Sequence, residues 1–428
     1  MINTILVFLS IYLPVLNISG HRLDVQAIFF LLIISFMVIT GKINTMFYKS
    51  NMVFLIIVTM LISYGLLLVL FNSGNGLHVA LRPMRILITL IGCLSIVYLM
   101  FNSRNKTPVE AYIFYAIALH SLIMIVQFLY PDFKMFIYQY TVNIERIQGA
   151  RMFYSVAGLT NGGGAQLSLY QSVGVLLSPL VLKGVASLKG KVFVYVCTLT
   201  CLISVLISGR SGLLAILVFF PIIYLFSKNK VTLSYGLLMK KISMYFIMLT
   251  TLFLVVNINY SFLSANEEVY QGVMDISKRT GSFLSGENST ISYLLEHHLA
   301  SIPDAKTFLF GNPEILDSDF KGPTRMLNSD IGYIRILFSY GIIGSILHYL
   351  FYLLIIYFSY NAYKYQKELK SLALFSIIFS IIILIFNAKE VFVFTRMGFS
   401  ITAIMLFYVL HVTHINKKNS YISRNQQV

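Results

Sequence analysis

The sequence predicts an all-α protein that crosses a membrane many times, and three observations predict it. Of 428 residues, 57% are hydrophobic. Only 11% are charged, against roughly 25% in an average soluble domain. The apolar residues run in unbroken blocks near the ~20 residues that a helix needs to cross a bilayer. Lipid offers backbone groups no partner, so each crossing must be a helix or part of a closed barrel. The blocks do not alternate as barrel strands do, so they read as helices.

The spans follow in order. The first, about 2–18, has no basic segment before it and no small-residue cleavage site after it, so it reads as retained. Spans two to five cover about 25–40, 52–71, 84–101 and 109–130. A long connection, 131–164, leads to span six at 165–182. The apolar run from Val192 to Phe226 suits two crossings, 192–208 and 212–227, split by the turn Ser-Gly-Arg-Ser-Gly at 208–212. Span nine is about 242–259. A large connection, 260–335, is too long for a mere link and holds helix-like stretches at 266–278 and 289–301. Spans ten to twelve cover about 336–358, 372–387 and 398–413, and 414–428 forms a tail. The expectation is one integral membrane domain, 1–428, of about twelve helices, with its large loop between spans nine and ten.

Charge sets the direction. The net charge of +16 could suggest nucleic acid, but no basic tract is long enough for it. With the N-terminus cytoplasmic, seventeen cations fall in cytoplasmic loops and tail, and only Arg22, Arg82, Arg85, Arg210, Lys389 and Arg396 in short outside loops. The positive-inside rule favours that orientation and puts both long loops outside. Fifteen of the seventeen inside cations are Lys, whereas ten of the fifteen outside cations, long loops included, are Arg. Topology does not distinguish the two, but recognition does. Arg grips phosphate with a planar fork of donors, and Lys acts as a point charge. An Arg-rich outer face suits a lipid-linked phosphate or diphosphate.

Candidate residues gather at that face. Arg210 sits in the glycine-flanked turn, where Gly209 and Gly212 permit a sharp bend and close backbone approach. Asp330 and Arg335 lie in Asn-Ser-Asp-Ile-Gly-Tyr-Ile-Arg, entering span ten. Asp330 could be a general base, a helix cap or an ion-pair partner for Arg335. Arg151 opens the approach to three glycines, 162–164, which are not followed by the Lys-Ser or Lys-Thr of a nucleotide loop. Arg82 and Arg85 flank Pro83 at the outer start of span four. Adjacent His297 and His298 point different ways and lack a third ligand, so no metal is expected. Asp317-Ser-Asp319 looks like a metal-holding pair of nucleotide-sugar transferases, but it faces away from the cytoplasmic nucleotide sugars. Cys93, Cys197 and Cys201 all lie in apolar blocks and read as core.

The Ser-Gly-Arg-Ser-Gly turn before a large outside loop, Leu-Phe-Gly at 309–311, and Ser-Asp-Ile-Gly-Tyr with Gly-Ile-Ile-Gly at the loop exit resemble the O-antigen polymerase (Wzy-type) and O-antigen ligase group. The likeness covers roughly 150–345 and the twelve-span plan. The ligases tend to carry His where this chain has Asp330, which argues for polymerase. The resemblance implies a GT-C-like glycosyltransferase in a bacterial inner membrane, both termini cytoplasmic, needing no metal or cofactor. An undecaprenyl-pyrophosphate-linked oligosaccharide would be both donor and acceptor. Membrane lipids and a chain-length regulator protein are the further partners, and nucleic acid is none. Arg210 and Arg335 would hold the pyrophosphate, and Asp330 would bind or activate the acceptor. Arg151, Arg325 and Arg279 would be secondary glycan or phosphate contacts, with Arg82 and Arg85 able to reach the same site. A ligase, with lipid A core as acceptor, and a flippase of the same lipid-linked sugar are the rivals. The absence of repeated halves and of mid-span charges disfavours transport.

Overall fold

The computed structural model describes residues 1–18, 21–72, 75–102, 107–141, 156–161, 164–227, 304–316 and 331–425. It is mostly helical. Its helices are α1 (Ile2–Tyr12), α2 (Val25–Ile39), α3 (Ile43–Met46), α4 (Lys49–Phe71), α5 (His78–Asn102), α6 (Val109–Leu129), α7 (Pro131–Thr141), α8 (Ala165–Gly184), α9 (Leu188–Ser208) and α10 (Ser211–Ser227). The large loop's described part holds α11 (Ala305–Phe310), and after the loop come α12 (Gly332–Tyr365), α13 (Lys370–Phe386) and α14 (Arg396–Asn425). Two short strands, β1 (Val15–Ile18) and β2 (His21–Asp24), pair between α1 and α2.

Among the described residues, seven helices are long and apolar enough to cross a membrane: α4, α5, α6, α8, α9, α12 and the Arg396–Lys417 part of α14. Four shorter apolar helices, α1, α2, α10 and α13, fall where further spans were expected. Large apolar side chains such as Leu32 (65% exposed) and Phe71 (81%) point away from the protein. Helices apolar on every side belong in lipid. The chain is a multi-pass membrane protein. The expected ninth span and the stretches 266–278 and 289–301 lie outside the described residues.

Several ends differ from expectation for local reasons. Span one was expected to reach residue 18, but α1 stops at Tyr12. Pro14 biases Leu13 away from helical backbone, and Leu13 indeed has φ −59°, ψ 129°. The β-branched Val15 and Ile18 then enter a hairpin. The first long connection is not loop throughout, since α7 begins at Pro131, where a missing N–H costs a helix nothing. Span twelve runs on through α14 into the segment expected as a tail.

The chain divides into two compact units: Met1–Leu13 with Asp24–Tyr112 and Ser289–Val428, and Pro14–Leu23 with Ile113–Asn288. In the first, α5 packs against α2, α4 and α14. Its core is aromatic: Phe351 meets the rings of Phe54, Tyr352, Phe394 and Phe399 at 5.1–5.9 Å. In the second, α8 packs against α9 and α10.

Candidate functional site

In the first unit, the starts of α2, α5 and α14 meet around one carboxylate. Asp24 caps α2, its Oδ1 accepting from the Ala27 amide at 3.0 Å. The same carboxylate takes the Arg396 guanidinium in an ion pair. Arg396 Nε also donates to Gln26 Oε1 at 3.2 Å. Gln26 is buried and donates onward to the Ser10 carbonyl at 2.5 Å and the Ser400 hydroxyl at 3.2 Å. The Arg396 side chain is therefore held at two nitrogens. Arg85 Nε lies 4.0 Å from the other oxygen of Asp24. Arg82, one turn earlier on α5, adds a third guanidinium whose charge reaches Arg85.

Among the described residues, this cluster sets three positive charges about one negative charge. The side chains are part-exposed: 35% for Arg85, 26% for Asp24 and 19% for Arg396. One carboxylate does not neutralise three guanidiniums, so the cluster keeps a net positive charge at part-exposed side chains. Bidentate guanidinium bonds to phosphate are the strongest that such a site offers.

A piece of the large loop is docked on the same unit. Asp304 caps α11, and hydrogen bonds from Thr307 hold its exposed carboxyl below the ordinary carboxylate value. The chain then passes through Leu309-Phe310-Gly311 against α12. Gly341, at φ 63° and ψ −175°, breaks α12 there. The break turns the backbone aside, and the Phe338 carbonyl accepts from the Asn312 amide at 2.6 Å. A Cβ on Gly311 would lie 2.5 Å from the Gly341 nitrogen, so neither glycine has room for a side chain. Tyr64 of α4 donates to the Phe310 carbonyl at 3.0 Å, and Asn75 donates to Glu314 at 3.0 Å. The loop motif Leu-Phe-Gly and the span motif Gly-Ile-Ile-Gly, about thirty residues apart, thus join directly. From Met52 to Leu67, including Tyr64, α4 presents one open, largely apolar face.

In the second unit, the Arg210 turn is pinned to the start of α8. The Ser168 hydroxyl donates to the Gly209 carbonyl at 2.6 Å and accepts from the Gly212 amide at 3.0 Å. Gly212 lies so close to the Ser168 backbone that a larger residue would collide. Arg210 itself is part-exposed and enters no ion pair with the described residues. One turn deeper on α8, Gln171 belongs to a buried polar chain. Leu159 N–H donates to His120 Nε2 at 3.1 Å, so the neutral ring carries its proton on Nδ1. The Gln171 amide lies 2.6 Å from Nδ1, and a half-turn of that amide puts its oxygen opposite the proton. Ser121 and Ser204 continue the chain. Gln127 meets Gly158 through both its oxygen and nitrogen at 2.9 Å. These bonds satisfy polar groups of the irregular 156–161 backbone beside helix α6.

Of the residues expected from sequence, Arg82 and Arg85 come together in the cluster. Arg335 stands part-exposed in the first turn of α12 in the same unit. Arg210 belongs to the second unit. Arg151, Arg279, Arg325 and Asp330 lie outside the described residues, as do His297, His298 and Asp317-Ser-Asp319. Sequence reasoning missed Asp24, Gln26 and Arg396 as a group. Asp24 carried a signal, a capping residue just before an apolar run. Nothing local tied it to Arg396. No family model matches the chain, and no curated protein matches its sequence.

Proposed function

We propose that this chain is a membrane glycosyltransferase that polymerises undecaprenyl-pyrophosphate-linked repeat units on the outer face of a bacterial inner membrane. The observation that carries the reading is the cluster of Arg82, Arg85 and Arg396 about Asp24, a positive surplus at the helix ends assigned to that face. A diphosphate tethered to a polyprenol lies at that depth. The open apolar face of α4 suits a stretch of its isoprenoid chain.

In this reading an acceptor sugar hydroxyl attacks the donor's anomeric carbon. A new C–O bond forms there as the bond to the diphosphate oxygen breaks. Undecaprenyl pyrophosphate leaves with the electron pair, and the hydroxyl proton passes to a base, for which Asp330 is the candidate. The guanidiniums stabilise the charge that grows on the leaving group, and they are already oriented before reaction. Because pyrophosphate leaves readily, most of the remaining acceleration comes from positioning. Arg335, on the same unit, is the candidate for a further diphosphate contact. Arg210, on the second unit, is a candidate anion or glycan contact of its own. Both termini are assigned to the cytoplasm and all twelve spans to the GT-C-like plan.

The test uses a strain that lacks the activity and is complemented with variants. Arg85→Gln, Arg396→Gln, Arg335→Ala, Arg210→Ala and Asp330→Ala should each reach the membrane yet leave core capped by a single repeat. Long chains from all of them would remove the site. Loss of every capped species, with accumulation of lipid-linked polymer, would identify a ligase.

A further inference from the structure

Helix α7 has three faces, and the structure explains two of them. Lys134, Tyr138 and Thr141 are buried on their own unit. Tyr138 accepts from the Ala157 amide at 2.8 Å and packs with Ala157 and Ile137. Asp132 and Gln139 share an exposed arc, with Met135 (43% exposed) at its edge. On the third arc, at helical spacing, stand Phe133 (38% exposed), Phe136 (59%) and Tyr140 (47%), with Phe136 and Tyr140 rings packed edge-on at 5.7 Å. These three keep between 38% and 59% of their surface open.

The position of α7 follows from its bonds. If α6 and α7 formed one straight rod, His120 and Tyr138 would be about 27 Å apart along it. Yet Leu159 bonds to His120 and Ala157 to Tyr138. Those two residues span at most about 7 Å. The remaining ~20 Å exceeds what two side chains and two hydrogen bonds reach. The chain therefore bends at Tyr130-Pro131, and α7 leaves the end of the 21-residue span α6 at an angle to it. An amphipathic helix with an aromatic face at that level has the composition of the membrane border, where aromatic rings concentrate.

We propose that α7 is an interfacial helix that seats Phe133, Phe136 and Tyr140 among lipid, at the boundary between headgroups and acyl chains. The inference rests on the multi-pass membrane fold and is independent of glycosyl transfer. The lipid seat presses α7 onto Ala157 and so steadies the 156–161 segment that His120 and Gln127 hold from below.

The chain contains no tryptophan, so one introduced indole reports alone. Phe136→Trp, Tyr140→Trp and Gln139→Trp are made singly in the full chain and reconstituted into phosphatidylcholine–phosphatidylglycerol vesicles. The indoles at 136 and 140 should emit to the blue, and phosphatidylcholine brominated on its upper acyl carbons should quench them several-fold more than acrylamide does. The indole at 139 should show the reverse order. Preferential acrylamide quenching at both 136 and 140 would overturn the proposal. So would shielding of those positions by a free repeat-unit oligosaccharide without bromolipid quenching, which would make the stripe a sugar-stacking platform.

Discussion

Gly341 opens α12 at the point where Gly311 of the large loop lays its backbone against it. At φ 63° Gly341 occupies a region that side-chain-bearing residues seldom adopt, and the neighbouring strand of chain leaves no room for a Cβ. Gly341→Ala should cost about 1–3 kcal/mol from the backbone conformation alone, seen as a lower unfolding midpoint in nanodiscs. It should also expose the 304–316 segment to protease. Gly184→Ala, with open space around it, serves as the control and should leave both readings unchanged.

Asp24 and Arg396 should be energetically coupled. Asp24→Asn retains the acceptor that caps α2 but removes the charge that faces Arg396 and Arg85. A double-mutant cycle of Asp24→Asn with Arg396→Gln should return a coupling of about 0.5–3 kcal/mol. Additive effects would mean that the pair contributes nothing beyond its separate parts.

Ser168 anchors the Arg210 turn through one hydroxyl that both donates and accepts. Ser168→Ala strips a partner from the buried Gly212 amide and should cost about 1–3 kcal/mol. Ser168→Thr keeps the hydroxyl and should lose less. Thermal unfolding measures the cost, and thiol labelling of a cysteine placed at 210 measures how far the turn loosens.

The docking of α11 should depend on pH through Asp304. Its folded carboxyl sits below the ordinary value of 3.8, chiefly through the Thr307 side chain and then the Thr307 amide. A depressed acid contributes stability that is fully present above the ordinary value and fades as pH falls through the lowered one. Protease cleavage within 304–316 should therefore rise only under strongly acid conditions. Asp304→Asn should flatten that dependence.

Much of the helical plan is legible in the sequence, because lipid demands long uninterrupted apolar runs and leaves them conspicuous. The Arg210 turn is legible for a similar reason, since only the Ser-Gly-Arg-Ser-Gly stretch interrupts the run from Val192 to Phe226. The hairpin at 15–24 is harder to see. Val15, Leu16 and Ile18 extend the apolar block of span one, and Pro14 alone marks the change. The helix α7 hides inside a connection because it is too short and too mixed to register as a span. The Asp24 cluster is illegible from any window, since Arg396 meets Asp24 only through the packing of α2 and α14 on α5. The docking of Gly311 on Gly341 is of the same kind: each glycine is visible, and their meeting is not.

The separation of 372 residues between Asp24 and Arg396 has a consequence for biosynthesis. A ribosome delivers the amino-terminal helices long before α14 emerges, so Arg82 and Arg85 enter the bilayer with their third guanidinium still unmade. The arginine cluster comes into being only when α14 inserts. A chain that stops short of α14 carries two of the three guanidiniums and leaves Asp24 without Arg396.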